Sequence, residues 1–183
     1  MSEVFERPLF HGTISLITAI DISKGRIRKD FGQGFYMATT PAQAIGMMHK
    51  KRREAERRSR GALPPDCDER LYRVTLKPTI AEELRVKVFE SADMEWLDFV
   101  LAGRAGMRHG YDIVAGPTAD DDTAAALQLY TRGLFGPVGS VRAKETLLMS
   151  LEPENLGVQV CICNQAAVAK AVDSFELVDW RRY

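Results

Sequence analysis

Three positions carry side chains whose type and setting could do chemistry: His11, Tyr36 and Gln159. His11 follows the apolar pair Leu9-Phe10 and precedes Gly12-Thr13, at the expected end of a short strand. One reading makes it a capped or solvated loop residue. The other has it donate to a ligand while Gly12 leaves its peptide groups open to an amide or a ribose. Tyr36 sits in Lys29 to Thr40, behind the close glycines Gly32 and Gly34. Phe35-Tyr36-Met37-Ala38 reads as a short strand, so Phe35 and Tyr36 point to opposite faces. One aromatic then enters the core while the other lines a cleft. Gln159 interrupts the apolar run Val158 to Cys163. A glutamine there needs hydrogen-bond partners or a polar cavity to face.

Other clusters have two readings each. Asp120-Asp121-Asp122 precedes a helical run. Acids there complement a helix dipole, or one of the carboxylates faces the cleft and serves as a base. Lys50 to Arg60 is densely basic with two glutamates. It is a solvated helix face with i,i+4 pairs, or a patch that meets phosphates. Cys161 and Cys163 share one face of a strand and read as a buried reduced pair. With Cys67 they make an odd number and no zinc-like set, so no metal is expected.

The elements that must position these residues are largely legible. Thr40-Pro41 is a helix start, with a hydroxyl cap and proline at the first helical position. The helix runs to about Arg60, with Ala42, Ile45, Met48, Lys51 and Ala55 on its buried side and Gly61 at its end. Leu71 to Leu76 and Leu84 to Phe89 alternate as strands. Ala92 to Arg104 has helical spacing. Tyr111 to Ala115 is a buried-type strand that breaks at Gly116-Pro117. Helices follow at Ala124 to Tyr130 and Ser140 to Ser150, and Asn164 caps one over Gln165 to Val172. A last strand is expected over Phe175 to Trp180. Short strands and helices that do not alternate strictly predict an α+β fold with a mostly antiparallel or mixed sheet, in one domain over residues 1–183.

Composition narrows the function class. The 183 residues carry 25 Lys+Arg against 25 Asp+Glu, so the whole-chain charge argues for no polyanion partner. Hydrophobic content of 45% and charged content of 27% are those of an ordinary globular chain. Met1 to Pro8 is charged and lacks the apolar core of a signal peptide, and no apolar run approaches a membrane span. A cytoplasmic protein without membrane contact is expected.

Leu9 to Thr13, Asp30 to Tyr36, Glu95 to Val100, Tyr111 to Pro117 with Ala119-Asp120-Asp121, and Gln159 to Ile162 together resemble the bacterial DUF3990 family, in order and over nearly the whole chain. That family is similar to the ADP-ribosyltransferase superfamily, in its diphtheria-toxin-like or poly(ADP-ribose)-polymerase-like branch. The branch's signature is His, Tyr and usually Glu on three separate strands. The resemblance implies a split, strongly bent pair of small sheets with NAD in the cleft between them. His11 would hydrogen-bond the ribose next to the adenine, and Gly12 would hold the nicotinamide amide through its backbone. Tyr36 would stack on the nicotinamide ring. Thr13, Gly34 and Phe35 would complete the cofactor-binding set. Gln159 stands where the catalytic Glu is expected, and Asp120, Asp121 or Asp122 is a candidate base on the acceptor.

The implied activity is mono-ADP-ribosyl transfer from NAD, as a substrate, to a protein or nucleic-acid acceptor, with no metal. A bacterial toxin or effector with a neutralising partner protein fits that activity. Two alternatives stand beside it: a non-catalytic NAD- or nucleotide-binding module, and an NAD glycohydrolase. Gln159 can accept a ribose hydroxyl but brings no charge and cannot act as a base. A charged acceptor makes a hydrogen bond about twice as strong.

Overall fold

A computed structural model describes residues 3–61, 63, 65–118, 121–151 and 156–183, the side chains of 121, 122 and 124 excepted. Its centre is a seven-stranded mixed sheet in the order β4-β5-β6-β2-β1-β3-β7. The strands are β1 (Leu9–Thr13), β2 (Phe35–Ala38), β3 (Arg70–Leu76), β4 (Val86–Val88), β5 (Ile113–Pro117), β6 (Val158–Ile162) and β7 (Val172–Val178). The helices are α1 (Pro41–Arg58), α2 (Ile80–Glu83), α3 (Met94–Ala105), α4 (Asp121–Thr131), α5 (Val141–Ser150) and α6 (Gln165–Ala171). Strands β4 and β5 run parallel, connected through α3, and the other neighbours are antiparallel. The α+β expectation holds.

Period-two alternation sorts the side chains onto two faces. Leu9, Phe35, Met37, Val74, Ile113, Val160 and Ile162 face one way and bury Ile80 of α2 with Ala167 and Ala171 of α6. Val114 and Cys161 face the other way and bury Trp96, Leu97 and Val100 of α3 with Leu147 of α5. Burial of each Val, Leu, Ile, Phe or Met among them contributes about 1.5–3 kcal/mol. Trp96 is fully buried and donates its Nε1–H to the Pro117 carbonyl at 3.1 Å, which ties α3 to the end of β5. Helix α1 covers Phe10, Ala38 and Leu71 through Ala44.

The expected pair of sheets is one hydrogen-bonded sheet with a weak seam. Strands β1 and β2 meet at a single residue pair, Phe10 with Ala38. On either side of that seam the pairing is long: β1 aligns with β3 from Leu9 to Thr13, and β2 with β6 from Phe35 to Ala38.

Helix α1 opens as expected, with the Thr40 hydroxyl accepting from the Gln43 N–H behind Pro41. Its buried side matches the expected one at Ile45, Met48 and Lys51 and differs at its first turn. Ala44 and Met48 are buried and Ala42 is exposed, because the helix backbone lies directly on Gly12. Its end is made by Arg60 and Gly61, both at positive φ. Strand β7 begins at Val172, straight after α6 and earlier than expected, because β3 has an edge to pair along that whole length. The four-residue α2 is too short to leave a periodic signal.

Candidate functional site

The seam is bridged by a side chain where backbone bonding stops. His11 Nδ1 lies 2.6 Å from the carbonyl oxygen of Tyr36. A carbonyl only accepts, so Nδ1 carries the proton and Nε2 is the acceptor nitrogen. Burial above all, then the nearby Lys51 and, less strongly, Lys29, push the His11 pKa down to about 3 against the opposing pull of the Tyr36 carbonyl. The imidazole is neutral and stacks on Phe35 with centroids 4.5 Å apart. This corrects the donor role expected of His11: its one proton goes to Tyr36, and what it offers a ligand is an acceptor.

Gly12 has a packing reason for being glycine. A Cβ there would stand 1.9 Å from the Ala44 carbonyl oxygen and 3.0 Å from Met48 Cβ. Its own carbonyl accepts from Lys51 Nζ at 2.7 Å. Lys51 therefore turns inward from the basic run, and burial, then Lys29 and Arg26, push its pKa down to about 8. Thr13 is buried, and its hydroxyl accepts from the Ser15 N–H at 3.3 Å. Gly34 also sits under a close contact, since a Cβ would fall 2.3 Å from Cys161 Sγ. Phe35 faces the core beneath His11.

Tyr36 is anchored at its far end. Its hydroxyl donates to Gly32 O at 2.7 Å and accepts from the Phe31 N–H at 2.9 Å. Gly32 makes this turn at φ 75°, where a side chain would be strained. Burial, with Cys161 and Asp30 behind it, pushes the phenol pKa far up, so the hydroxyl keeps its proton. The ring stacks over Phe31, and Lys29 Nζ stands 5.5 Å from its centroid. The sequence reading expected an open aromatic platform; the structure puts a cation over it.

Gln159 shares the Tyr36 face. Tyr36 pairs with Cys161 and Ala38 with Gln159, so the two side chains are diagonal neighbours on β2 and β6. Gln159 is buried and donates Nε2 to Asp30 Oδ2 at 2.9 Å. Asp30 Oδ1 accepts from Arg104 at 2.7 and 2.8 Å, through Nη2 and Nε. Sequence reasoning found the glutamine's need for partners and put Lys51 on the buried side of α1, but it named neither Asp30 nor Arg104 and did not single out Lys29. Asp30 beside the glycine turn and a lone Arg104 on an apolar helix were the available signals. His11 enters from the opposite face of the sheet, edge-on at the seam, so the expected set is two residues on one face and a third at its edge.

Asp120 lies outside the described residues, as do the side chains of Asp121 and Asp122. Helix α4 starts at Asp121, shortly after Pro117 on the strand whose Gly116 pairs with Gln159. The outer half of α1 follows the solvated-face reading, with Arg52–Glu56 and Arg58–Glu54 pairs one turn apart. A shallow depression of about 680 Å³ has Lys24, Arg26, Arg28 and Gln33 in its wall, and none of His11, Tyr36 or Gln159 lines it. Gln33 holds that wall by donating to the carbonyls of Ser23 and Gly25.

Residues 8–172 match the family model DUF3990, described as a protein of unknown function. The chain belongs to that family. A search of curated proteins and a search of solved structures found no match. Within this DUF3990 domain, Asp30, Tyr36, Arg104 and Gln159 lie well inside the matched span, as does the seam itself. Among the described residues no three His, Cys, Asp or Glu side chains converge as a metal site, and no helix is long and apolar enough to cross a membrane.

Proposed function

We propose that the chain is an NAD-dependent mono-ADP-ribosyltransferase working at the β1–β2 seam. The observation that carries this reading is the sheet order β6-β2-β1, which sets Gln159, Tyr36 and His11 on three adjacent strands beside the one weak junction. A seam between two well-paired halves is the counterpart of the split sheets that the resemblance implies. The electrostatics suit the ADP-ribose part of the substrate. Lys29, Lys51 and Arg26 draw a diphosphate, and the neutral His11 accepts from a ribose hydroxyl through Nε2.

Transfer breaks the bond between nicotinamide nitrogen and ribose C1′. Nicotinamide leaves with the bond's electron pair, an acceptor atom bonds C1′, and the acceptor's proton goes to solvent. The developing oxocarbenium ion needs a nearby dipole or charge, which Gln159 Oε1 supplies by accepting from the ribose 2′-hydroxyl. Nicotinamide can stack on Tyr36 only where Lys29 moves off the ring, so the lysine competes with the cationic pyridinium for that face. Asp120, Asp121 or Asp122 is the base on a protein or nucleic-acid acceptor in this reading, a role that rests on the resemblance alone. A role as a cytoplasmic toxin or effector with a neutralising partner rests on the resemblance alone.

The Lys51 bond to the Gly12 carbonyl favours a second reading, a non-catalytic NAD- or nucleotide-binding module. It leaves the nicotinamide amide without the backbone acceptor that the first reading assigns it. Nicotinamide release from NAD separates the two, measured on wild type, Tyr36→Ala and Gln159→Ala. Release by wild type and by neither variant supports the transferase or a glycohydrolase, which label transfer to an extract then distinguishes. No release, with a wild-type-specific rise in melting temperature on adding NAD, supports the binding module. Neither release nor shift removes NAD from the account.

A further inference from the structure

The Gln159–Asp30 contact carries a specific consequence for catalysis, and it rests on the transferase reading. Asp30 is buried, and its carboxylate has only lone pairs to offer. The Gln159 amide must therefore turn its nitrogen toward Asp30, which leaves Oε1 as the acceptor oxygen. The loop beneath cannot slide to change this. A Cβ on Gly103 would come within 2.5 Å of the Asp30 carbonyl, so α3 lies directly against that backbone. Arg104, one residue on, fixes the carboxylate from the other side.

We propose that Asp30 is the positioning residue of this site, and that Asp30 and Gln159 together do what one glutamate does elsewhere. Asp30 supplies the negative charge and Gln159 the acceptor oxygen. The amide bond between them carries polarisation from the carboxylate to Oε1, which strengthens it as the partner of a ribose 2′-hydroxyl. The pair also explains the residue type at 159. Only a group that donates on one side and accepts on the other fits between Asp30 and the ribose. An ionised glutamate there would face Asp30 with a second negative charge.

The test is a charge swap, read as nicotinamide release from NAD with kcat and KM separated and melting temperatures alongside. Asp30→Asn lowers kcat by about tenfold and leaves KM for NAD within about twofold, as expected when a charge-assisted bond felt in the transition state is lost. Gln159→Glu also lowers kcat, and its rate recovers as pH falls and one proton is shared between the two carboxyls. The double variant Asp30→Asn with Gln159→Glu lets the asparagine donate to the glutamate, and kcat returns to within about threefold of wild type.

Gln159→Glu alone with wild-type kcat overturns the inference. So does a double variant that regains its melting temperature but not its kcat, which would make the contact a structural staple only. Should Asp30→Asn fail to fold, Gln159→Glu decides by itself: acid-restored kcat supports the pair and an unchanged pH profile overturns it. Absence of release from the wild type would overturn the transferase reading, and this inference with it.

Discussion

His11 Nδ1 and the Tyr36 carbonyl oxygen, 2.6 Å apart, hold together two strands whose backbones pair at one other place. The bond needs a neutral ring with its proton on Nδ1, and burial enforces that state by pulling the pKa from the model-peptide 6.5 to about 3. The sign follows from linkage. Below pH 6.5 the unfolded imidazole takes up a proton that the folded one refuses, so stability is full above 6.5 and falls toward pH 3. The limiting slope is about 1.4 kcal/mol per pH unit. Urea unfolding of wild type and His11→Asn between pH 7 and 5 checks this. The variant loses the slope, because its amide donates without titrating. Equal slopes in the two proteins would mean that the ring is not held neutral.

Lys51 has the same linkage sign as His11 but, unlike it, carries its charge at neutral pH. Burial and its cationic neighbours bring its pKa down from 10.5 to about 8, so the charged form is the disfavoured one in the fold. Its contribution is favourable above pH 10.5, is lost as pH falls toward 8, and the full cost of the charge remains at neutral pH. An anion placed against Lys51, Lys29 and Arg26 reverses that cost. Pyrophosphate or ADP-ribose therefore raises the melting temperature of wild type at low salt, and the rise shrinks as salt screens it. Lys51→Met loses most of the shift, whereas Arg57→Met on the exposed side of α1 keeps it. A shift that survives Lys51→Met would place the anion elsewhere.

Gly12 separates packing from ligand binding. A methyl group there meets the Ala44 carbonyl at 1.9 Å, and backbone cannot step aside as a side chain can. Gly12→Ala costs about 3 kcal/mol or more by forcing α1 off β1. Gly46→Ala, in the same helix with nothing within 4 Å of the added carbon, stabilises by about 0.5–1 kcal/mol. Chemical denaturation of both reads the contrast directly. A Gly12→Ala protein as stable as wild type would show that α1 does not rest on this strand.

What was legible in the chain was whatever short-range chemistry decides. Thr40-Pro41 opens α1 because cap and first turn are adjacent in sequence. The partition of Phe35 and Tyr36 to opposite faces follows from the pleat alone. Gln159 announced a polar need, yet its partner Asp30 lies 129 positions away, and nothing local couples them. Helical spacing put Lys51 on the buried side of α1, but its partner, the Gly12 carbonyl, lies on another element and left no local signal. The seam was invisible for the same reason: it is a property of how β1 and β2 align, not of either strand. The burial of Ala44 rather than Ala42 likewise depends on where α1 lands.

Cys163 offers the last handle on the Tyr36 side of the sheet. Its sulfur lies 3.4 Å from Cys161 Sγ and 3.8 Å from Phe31 O, the carbonyl that also accepts from His109 Nε2 at 3.1 Å. The Tyr111 N–H donates to His109 Nδ1 at 3.2 Å, which fixes the ring with Nε2 protonated and turned toward the sulfur side. The hydrogen bond shared with Cys161 Sγ, and then His109, bring the Cys163 pKa down to about 6, while burial pushes Cys161 up. A thiolate is the form that reacts, so alkylation at pH 7 marks Cys163 while the fully buried Cys161 stays unmodified until the protein unfolds. Peptide mapping after timed iodoacetamide treatment reads both sites. The Cys163 rate should titrate with a midpoint near pH 6 and move upward in His109→Asn, because the imidazole no longer supports the anion. A midpoint at the ordinary thiol value of about 8.5, unchanged by His109→Asn, would show that the histidine and the sulfur do not communicate.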